Sequence, residues 1–117
     1  MCGINGIVSV NALNFDAINE MNNKIIHRGP DDDGVFVDAN DDFSVTMGMR
    51  RLSIIDLSNG KQPMYSEDEN VIIVFNGEIY NYKTLKANLE ADNIDFKTNS
   101  DTEVILRMYL AYGTESF

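Results

Sequence analysis

Apolar positions in the first 26 residues change from a β-branched run to a helical period. Gly3 to Val10 (GINGIVSV) predicts a strand, and Phe15, Ile18, Met21 or Asn22, Ile25 and Ile26 recur at the spacing of a helix. His27-Arg28-Gly29-Pro30, followed by Asp31-Asp32-Asp33-Gly34, cannot continue that helix, because proline restricts the residue before it and glycine favours turns; a polar, constrained loop is expected. Val35 to Val37, Phe43 to Met49 and Val71 to Phe75 read as strands, the last apolar on both faces and therefore expected to be central. Asn59-Gly60 marks a turn between strands. Tyr82, Leu85 and Leu89 line one helix face, and Ile105, Met108 and Tyr112 another, on a helix that begins with the capping pattern Ser100-Asp101-Thr102-Glu103 and stops at Gly113. Strands surrounded by helices give an α+β fold class. No repeat, low-complexity tract or Gly/Ser/Pro linker divides the chain, so residues 1–117 are expected to form one domain or a piece of one.

Composition then removes several classes of function. A chain 44% apolar and 24% charged is globular in character. Nineteen acids against nine bases give a formal charge of −10, which opposes long-range attraction to a phosphate backbone or an anionic membrane; neither nucleic acid nor membrane is an expected partner. No run reaches the roughly 18 apolar residues of a membrane span, and no basic stretch leads into an apolar core at the N-terminus. One cysteine excludes an internal disulfide and suits a reducing compartment, so a cytoplasmic location is expected.

That cysteine is the leading chemical candidate. Cys2 stands directly behind Met1, so removal of one methionine makes its thiol part of the first residue of the mature chain. Nucleophile and base then share a residue: a free α-amine titrates at about 7.7–8.0 and a thiol at about 8.5, and near neutral pH the amine can take the thiol's proton directly or through a water. The competing reading is a small buried apolar residue. Asn76-Gly77 follows the apolar run Val71 to Phe75 but leads into helical periodicity, which fits a hairpin badly. An asparagine amide beside a free backbone N–H is a donor pair suited to a developing oxyanion, against the alternative of an ordinary tight turn. Arg51 precedes Leu52-Ser53-Ile54-Ile55, so its guanidinium is expected to leave a sheet near a strand end, where a planar fork can hold a carboxylate; surface solvation is the alternative. Asp101 falls in the first turn of the last helix, where the helix dipole stabilises a carboxylate with or without a ligand. His27 has no serine or cysteine beside it in sequence and reads as a loop residue rather than a general base.

Taken together, Met1-Cys2-Gly3-Ile4, His27-Arg28-Gly29-Pro30-Asp31, Arg51-Leu52-Ser53-Ile54-Ile55-Asp56, Asn76-Gly77-Glu78-Ile79-Tyr80-Asn81 and Ser100-Asp101-Thr102-Glu103 occur in the order seen in class II glutamine amidotransferases. The chain most resembles the N-terminal glutaminase domain of glutamine-hydrolysing asparagine synthetases, over essentially its whole length. The resemblance implies an N-terminal-nucleophile hydrolase fold, a four-layer αββα sandwich. It also implies that Cys2 attacks the side-chain amide of glutamine to form a γ-glutamyl thioester and release ammonia. Asn76 and Gly77 then match the oxyanion hole, Arg51 the clamp on the α-carboxylate, and Asp101 the partner of the α-ammonium. Glu78, Leu52 and Ile54 match pocket-lining positions, and Arg28 to Asp31 a loop near the site.

Length departs from the family pattern. Members continue beyond the point where this chain stops, so the sandwich is expected to be incomplete at its C-terminus and the synthetase domain, with the ATP and magnesium that belong to it, to lie outside these residues. No cofactor and no metal is expected for this chain; its expected partners are glutamine, that synthetase domain and, through exposed sheet edges, further copies of itself. The expected acceptor of the ammonia is aspartate, with amidation of a sugar or polysaccharide precursor as the alternative. Two readings of other kinds stand beside this one: a different amide hydrolase that uses the same nucleophile, and a non-catalytic acidic module binding calcium through Asp31 to Asp33 or Asp38 to Asp42. Loop arithmetic opposes calcium: aligning Gly34 with the invariant glycine of an EF-hand loop puts Gly29 at the first ligand position and Asn40 at the twelfth, where acids are needed.

Overall fold

The computed structural model describes residues 2–10, 15–53 and 60–116. Met1, Asn59 and Ile54 lie outside the described residues, and with them the processing of the N-terminus, half of the expected Asn59-Gly60 turn and one expected pocket residue. Helices and strands are mixed, and the chain forms two compact units. The first comprises Met1–Ser53, Lys61–Pro63 and Val74–Gly77, and the second Ile54–Gly60, Met64–Ile73 and Glu78–Phe117.

The first unit is built on a three-stranded antiparallel sheet. β1 (Gly3–Ser9) and β2 (Asp32–Ala39) flank β3 (Ser44–Arg51), with Gly3 opposite Arg50 and Asp32 opposite Arg51. Helix α1 (Phe15–Lys24) packs on the sheet through Ile18, which is fully buried, and Asn22. Of the two residues that the helical spacing allowed, Met21 and Asn22, the polar one faces inward. Its amide explains why: Asn22 accepts from Asn5 Nδ2 at 2.7 Å and donates to the Gly34 carbonyl at 3.3 Å, tying α1 to both outer strands.

The expected polar loop is shorter than its sequence implies. Residues Ile26–Arg28 make one 3₁₀ turn, but Asp32, Asp33 and Gly34 already belong to β2. Cross-strand charge accounts for acids in a strand: Asp33 Oδ1 lies 3.2 Å from Arg50 Nη1 on the neighbouring β3. The acidic run is thereby engaged within the protein, since Asp31 accepts the Ser53 N–H and Asp32 the Asp33 N–H.

In the second unit, β4 (Met64–Tyr65) and β5 (Ile72–Ile73) form a two-stranded ladder, followed by α2 (Tyr82–Ala91) and α3 (Asp101–Tyr112). The run Val71 to Phe75 is therefore not a central strand among the described residues. Its ends bond outside any ladder: Val71 exchanges bonds with Ser66 through its N–H and carbonyl, and the Phe75 N–H donates to the Gln62 side chain at 2.6 Å. The β4–β5 turn is closed by Asp68, whose carboxyl is held at about 2, first by the Ser66 hydroxyl and then by Asn70.

Helix α2 turns Tyr82, Leu85 and Leu89 inward as expected. Helix α3 differs: Val104 and Leu106 are buried with Asp101, Thr102 and Glu103, whereas Tyr112 is half exposed. Burial here changes along the helix axis rather than around it, so a stripe read from 3.6-residue spacing misses it.

Candidate functional site

Cys2 sits at the lip of the three-stranded sheet, one residue before β1. Because Gly3 pairs with Arg50, the cysteine lies beside the last residues of β3. Its sulfur accepts the Leu52 N–H at 3.4 Å and its S–H donates to the Leu52 carbonyl at 3.7 Å, so a single residue brackets the thiol from its main chain. Side chains alternate along a strand, which puts Cys2, Ile4 and Val8 on the face away from α1, and Arg51 with Met49 on that same face. The Cys2 thiol and the Arg51 guanidinium therefore share one face and one end of the sheet. Arg51 is only 5% exposed, which answers the alternative of surface solvation.

The His27 to Asp31 segment buttresses this end. The Gly29 carbonyl accepts from Arg50 Nε at 3.0 Å, the Asp31 N–H donates to the Arg51 carbonyl at 3.1 Å, and Asp31 Oδ2 accepts the Ser53 N–H at 2.8 Å. At Gly29 the two backbones approach so closely that an added Cβ would come within 2.5 Å of the Arg50 carbonyl oxygen and the Arg51 nitrogen. The motif is thus a brace for residues 50–53, a role that the resemblance left as mere proximity to the site.

Asn76 and Gly77 are exposed and belong to the first unit; the Phe75 ring covers one side of Gly77, where an added Cβ would lie 2.7 Å from Cζ. Glu78, also exposed, and Asp101 belong to the second unit. Asp101 is buried at the first position of α3, and its Oδ2 accepts the Ile79 N–H at 3.1 Å. The structure thus joins Cys2 to Leu52, sets Arg51 beside them, and gives Asp101 a partner close in sequence to Glu78.

The start of α3 is held by a network that sequence reading caught only in outline. Ser100 caps the helix by accepting the Thr102 N–H at 3.1 Å. In a capping box Glu103 would accept the Ser100 N–H. Instead that N–H donates to Thr98 Oγ1 at 3.1 Å, and the Thr98 hydroxyl donates to Glu103 Oε2 at 2.7 Å. Glu103 also accepts the Lys97 and Thr98 N–H groups and the Arg107 guanidinium. Burial pushes its carboxyl up, but the Lys97 and Thr98 bonds and the Arg107 charge outweigh it, leaving Glu103 below its ordinary value. From α2, Lys86 Nζ donates to the Thr98 carbonyl and to Asn99 Oδ1, both at 2.9 Å, while lying over the Phe96 ring. The S-x-x-E spacing pointed at Glu103; nothing in the sequence pointed at Lys86 or Thr98.

Among the described residues, no group of three or more His, Cys, Asp or Glu side chains is placed to hold a metal ion, and no helix is long and apolar enough to cross a membrane.

The family profile of the glutamine amidotransferase domain matches residues 1–117. The chain is 49% identical, over 99% of its length, to "Asparagine synthetase [glutamine-hydrolyzing] 1" of Bacillus subtilis, of which it covers 18%. It is 42% identical over 98% of its length to the asparagine synthetase [glutamine-hydrolyzing] of Zea mays, and 36% identical over 98% to asparagine synthetase B of Escherichia coli. It spans about a fifth of the length of either, 19% and 20%.

Proposed function

The chain belongs to the glutamine amidotransferase domain family, and on that premise we propose that it hydrolyses the side-chain amide of glutamine through Cys2 as an N-terminal nucleophile. The observation that carries this reading is the thiol at position 2, bracketed by Leu52 on the sheet face that also bears Arg51. With Met1 removed, the freed α-amine takes the thiol proton as Sγ attacks the amide carbon. The tetrahedral oxyanion is held by the Asn76 side chain and the Gly77 N–H. Its collapse breaks the C–N bond, the amine returns the proton to the leaving nitrogen, and ammonia departs from a γ-glutamyl thioester. Water then attacks the thioester, giving glutamate and restoring the thiol. Arg51 pairs with the α-carboxylate of the substrate and Asp101 with its α-ammonium, while Leu52, Ile54 and Glu78 line the pocket.

The relatives are named glutamine-hydrolysing asparagine synthetases, which supports asparagine synthesis as the fate of the ammonia; a synthetase domain acting on aspartate with ATP and magnesium, and a cytoplasmic location, belong to the same proposal. Residues 1–117 are, on this reading, the N-terminal portion of the glutaminase domain, within an αββα sandwich. The sheet supports that layering: α1 covers one face, while Val8 on the other is 74% exposed, leaving an apolar surface for a second sheet. Self-association through such a face is a further expectation.

Treatment with the glutamine-like electrophile 6-diazo-5-oxo-norleucine, read by intact mass and N-terminal peptide mapping, tests the mechanism. A chain lacking Met1 with one adduct on Cys2, blocked by excess glutamine, is the expected result, together with loss of glutamine hydrolysis in Cys2→Ala. Hydrolysis retained by Cys2→Ala rejects the mechanism.

A further inference from the structure

We propose that Glu103 is a positioning residue for the α-ammonium end of the glutamine substrate, acting through Asp101; this rests on the glutaminase reading above. Asp101 is the first residue of α3; its backbone is carried by the turn that enters the helix, and its Oδ2 accepts the Ile79 N–H. That turn is gripped from two sides. On one, Glu103 gathers the Lys97 N–H at 2.9 Å and the Thr98 N–H and hydroxyl, each at 2.7 Å, onto a single carboxylate. On the other, Lys86 holds the Thr98 carbonyl and Asn99 Oδ1. The Thr98 hydroxyl passes the restraint on to the Ser100 N–H, and the Ser100 hydroxyl to the Thr102 N–H, so each residue flanking Asp101 is fixed through Glu103.

The chemistry requires a carboxylate there. Four donors converge on Glu103, counting Arg107, and an anion accepts them all. Glutamine in its place has a single acceptor oxygen and turns an NH₂ group toward donors. The turn then opens and Asp101 loses its fixed aim, without loss of any atom that touches substrate. Stabilising α3 alone would not need this arrangement, because Ser100 already caps the helix and Arg107 already pairs with Glu67 at 3.4 Å.

The test compares kcat/KM for glutamine with that for 4-carbamoylbutanoate, the same amide without the α-amino group, in the full-length protein. The preference for glutamine reports the α-ammonium contact and cancels losses common to both substrates. Glu103→Gln is expected to reduce that preference on the order of tenfold, mainly through a higher KM for glutamine, short of the roughly hundredfold that a 1 Å misplacement can cost. Lys86→Met, which releases the same turn from its other side, is expected to shift the preference in the same direction and decides the matter should Glu103→Gln fail to fold. An unchanged preference, with both substrates losing equally, overturns the inference while leaving the glutaminase reading intact. A wild-type protein that hydrolyses neither amide overturns both.

Discussion

The surroundings of Cys2 and of Asp101 are built from contacts of different reach. Cys2 is fixed by Leu52, fifty residues away along the chain, through a sheet register that brings the start of β1 beside the end of β3. The Asp101 carboxylate accepts the Ile79 N–H, twenty-two residues away, while its backbone enters α3 through a turn held by bonds among Lys97, Thr98, Ser100, Thr102 and Glu103, with Lys86 reaching in from α2. A thiol set by strand pairing depends on the whole sheet assembling, whereas the turn that carries Asp101 into α3 depends mostly on residues next to it in sequence. Damage to the first should appear as loss of fold and activity together, and damage to the second mainly as a loss of substrate recognition with a smaller loss of stability.

The largest separation of the two should come from the chemistry itself. Asn76→Ala removes one proposed oxyanion donor and is expected to lower kcat for glutamine hydrolysis by about 10²–10³, with little change in unfolding midpoint because Asn76 is exposed. A kcat within a few-fold of wild type would remove Asn76 from the proposed oxyanion hole.

Gly29→Ala probes the sheet-built half. Its Cβ collides with backbone rather than with a flexible side chain, so strand β3 must shift at a cost of about 1–3 kcal/mol. Urea unfolding should show that loss, and the rate of Cys2 alkylation should change with it, since Arg51 and Leu52 follow the displaced segment. A variant of wild-type stability and unchanged alkylation would mean that the 27–31 brace does not govern the thiol.

The smallest expected effect is acid sensitivity of the helix-cap half. Glu103 lies below its ordinary 4.5 in the folded protein, so its contribution is present above about pH 4.5 and is lost as pH falls through the lowered folded value. In urea unfolding, the stability difference between wild type and Glu103→Gln should therefore be constant from neutral pH down to about 4.5 and shrink below it. A difference that grows on acidification would have the wrong sign for a carboxylate held ionised by hydrogen bonds.

The same distinction of reach decides how much was legible in the sequence. The cap at Ser100 and the stop at Gly113 were readable because they depend on a few consecutive side chains and one backbone conformation. Capping-box spacing singled out Glu103, but the hydroxyl of Thr98 that links it to Ser100 has no signature in spacing. Of Val71 to Phe75 only Ile72–Ile73 pair as a strand, and not a central one, because an apolar run shows a preference for burial but not a pairing partner, and here the bonding groups at its ends go to Ser66 and Gln62. Asp32 to Gly34 read as loop because acids and glycine are poor strand formers alone; the partner Arg50 reverses that preference.

By itself, the sequence determined the order of the helices and of every strand but the short β4, the net negative charge and the placing of one thiol directly behind the initiator methionine, since all of these follow from composition and local periodicity. Tertiary structure alone decided that Leu52 brackets that thiol, that Arg51 shares its face, and that Gly29 and Asp31 brace them both. The reason is physical: strand register is set by pairing between distant segments, and a shift of one residue would turn every side chain to the opposite face.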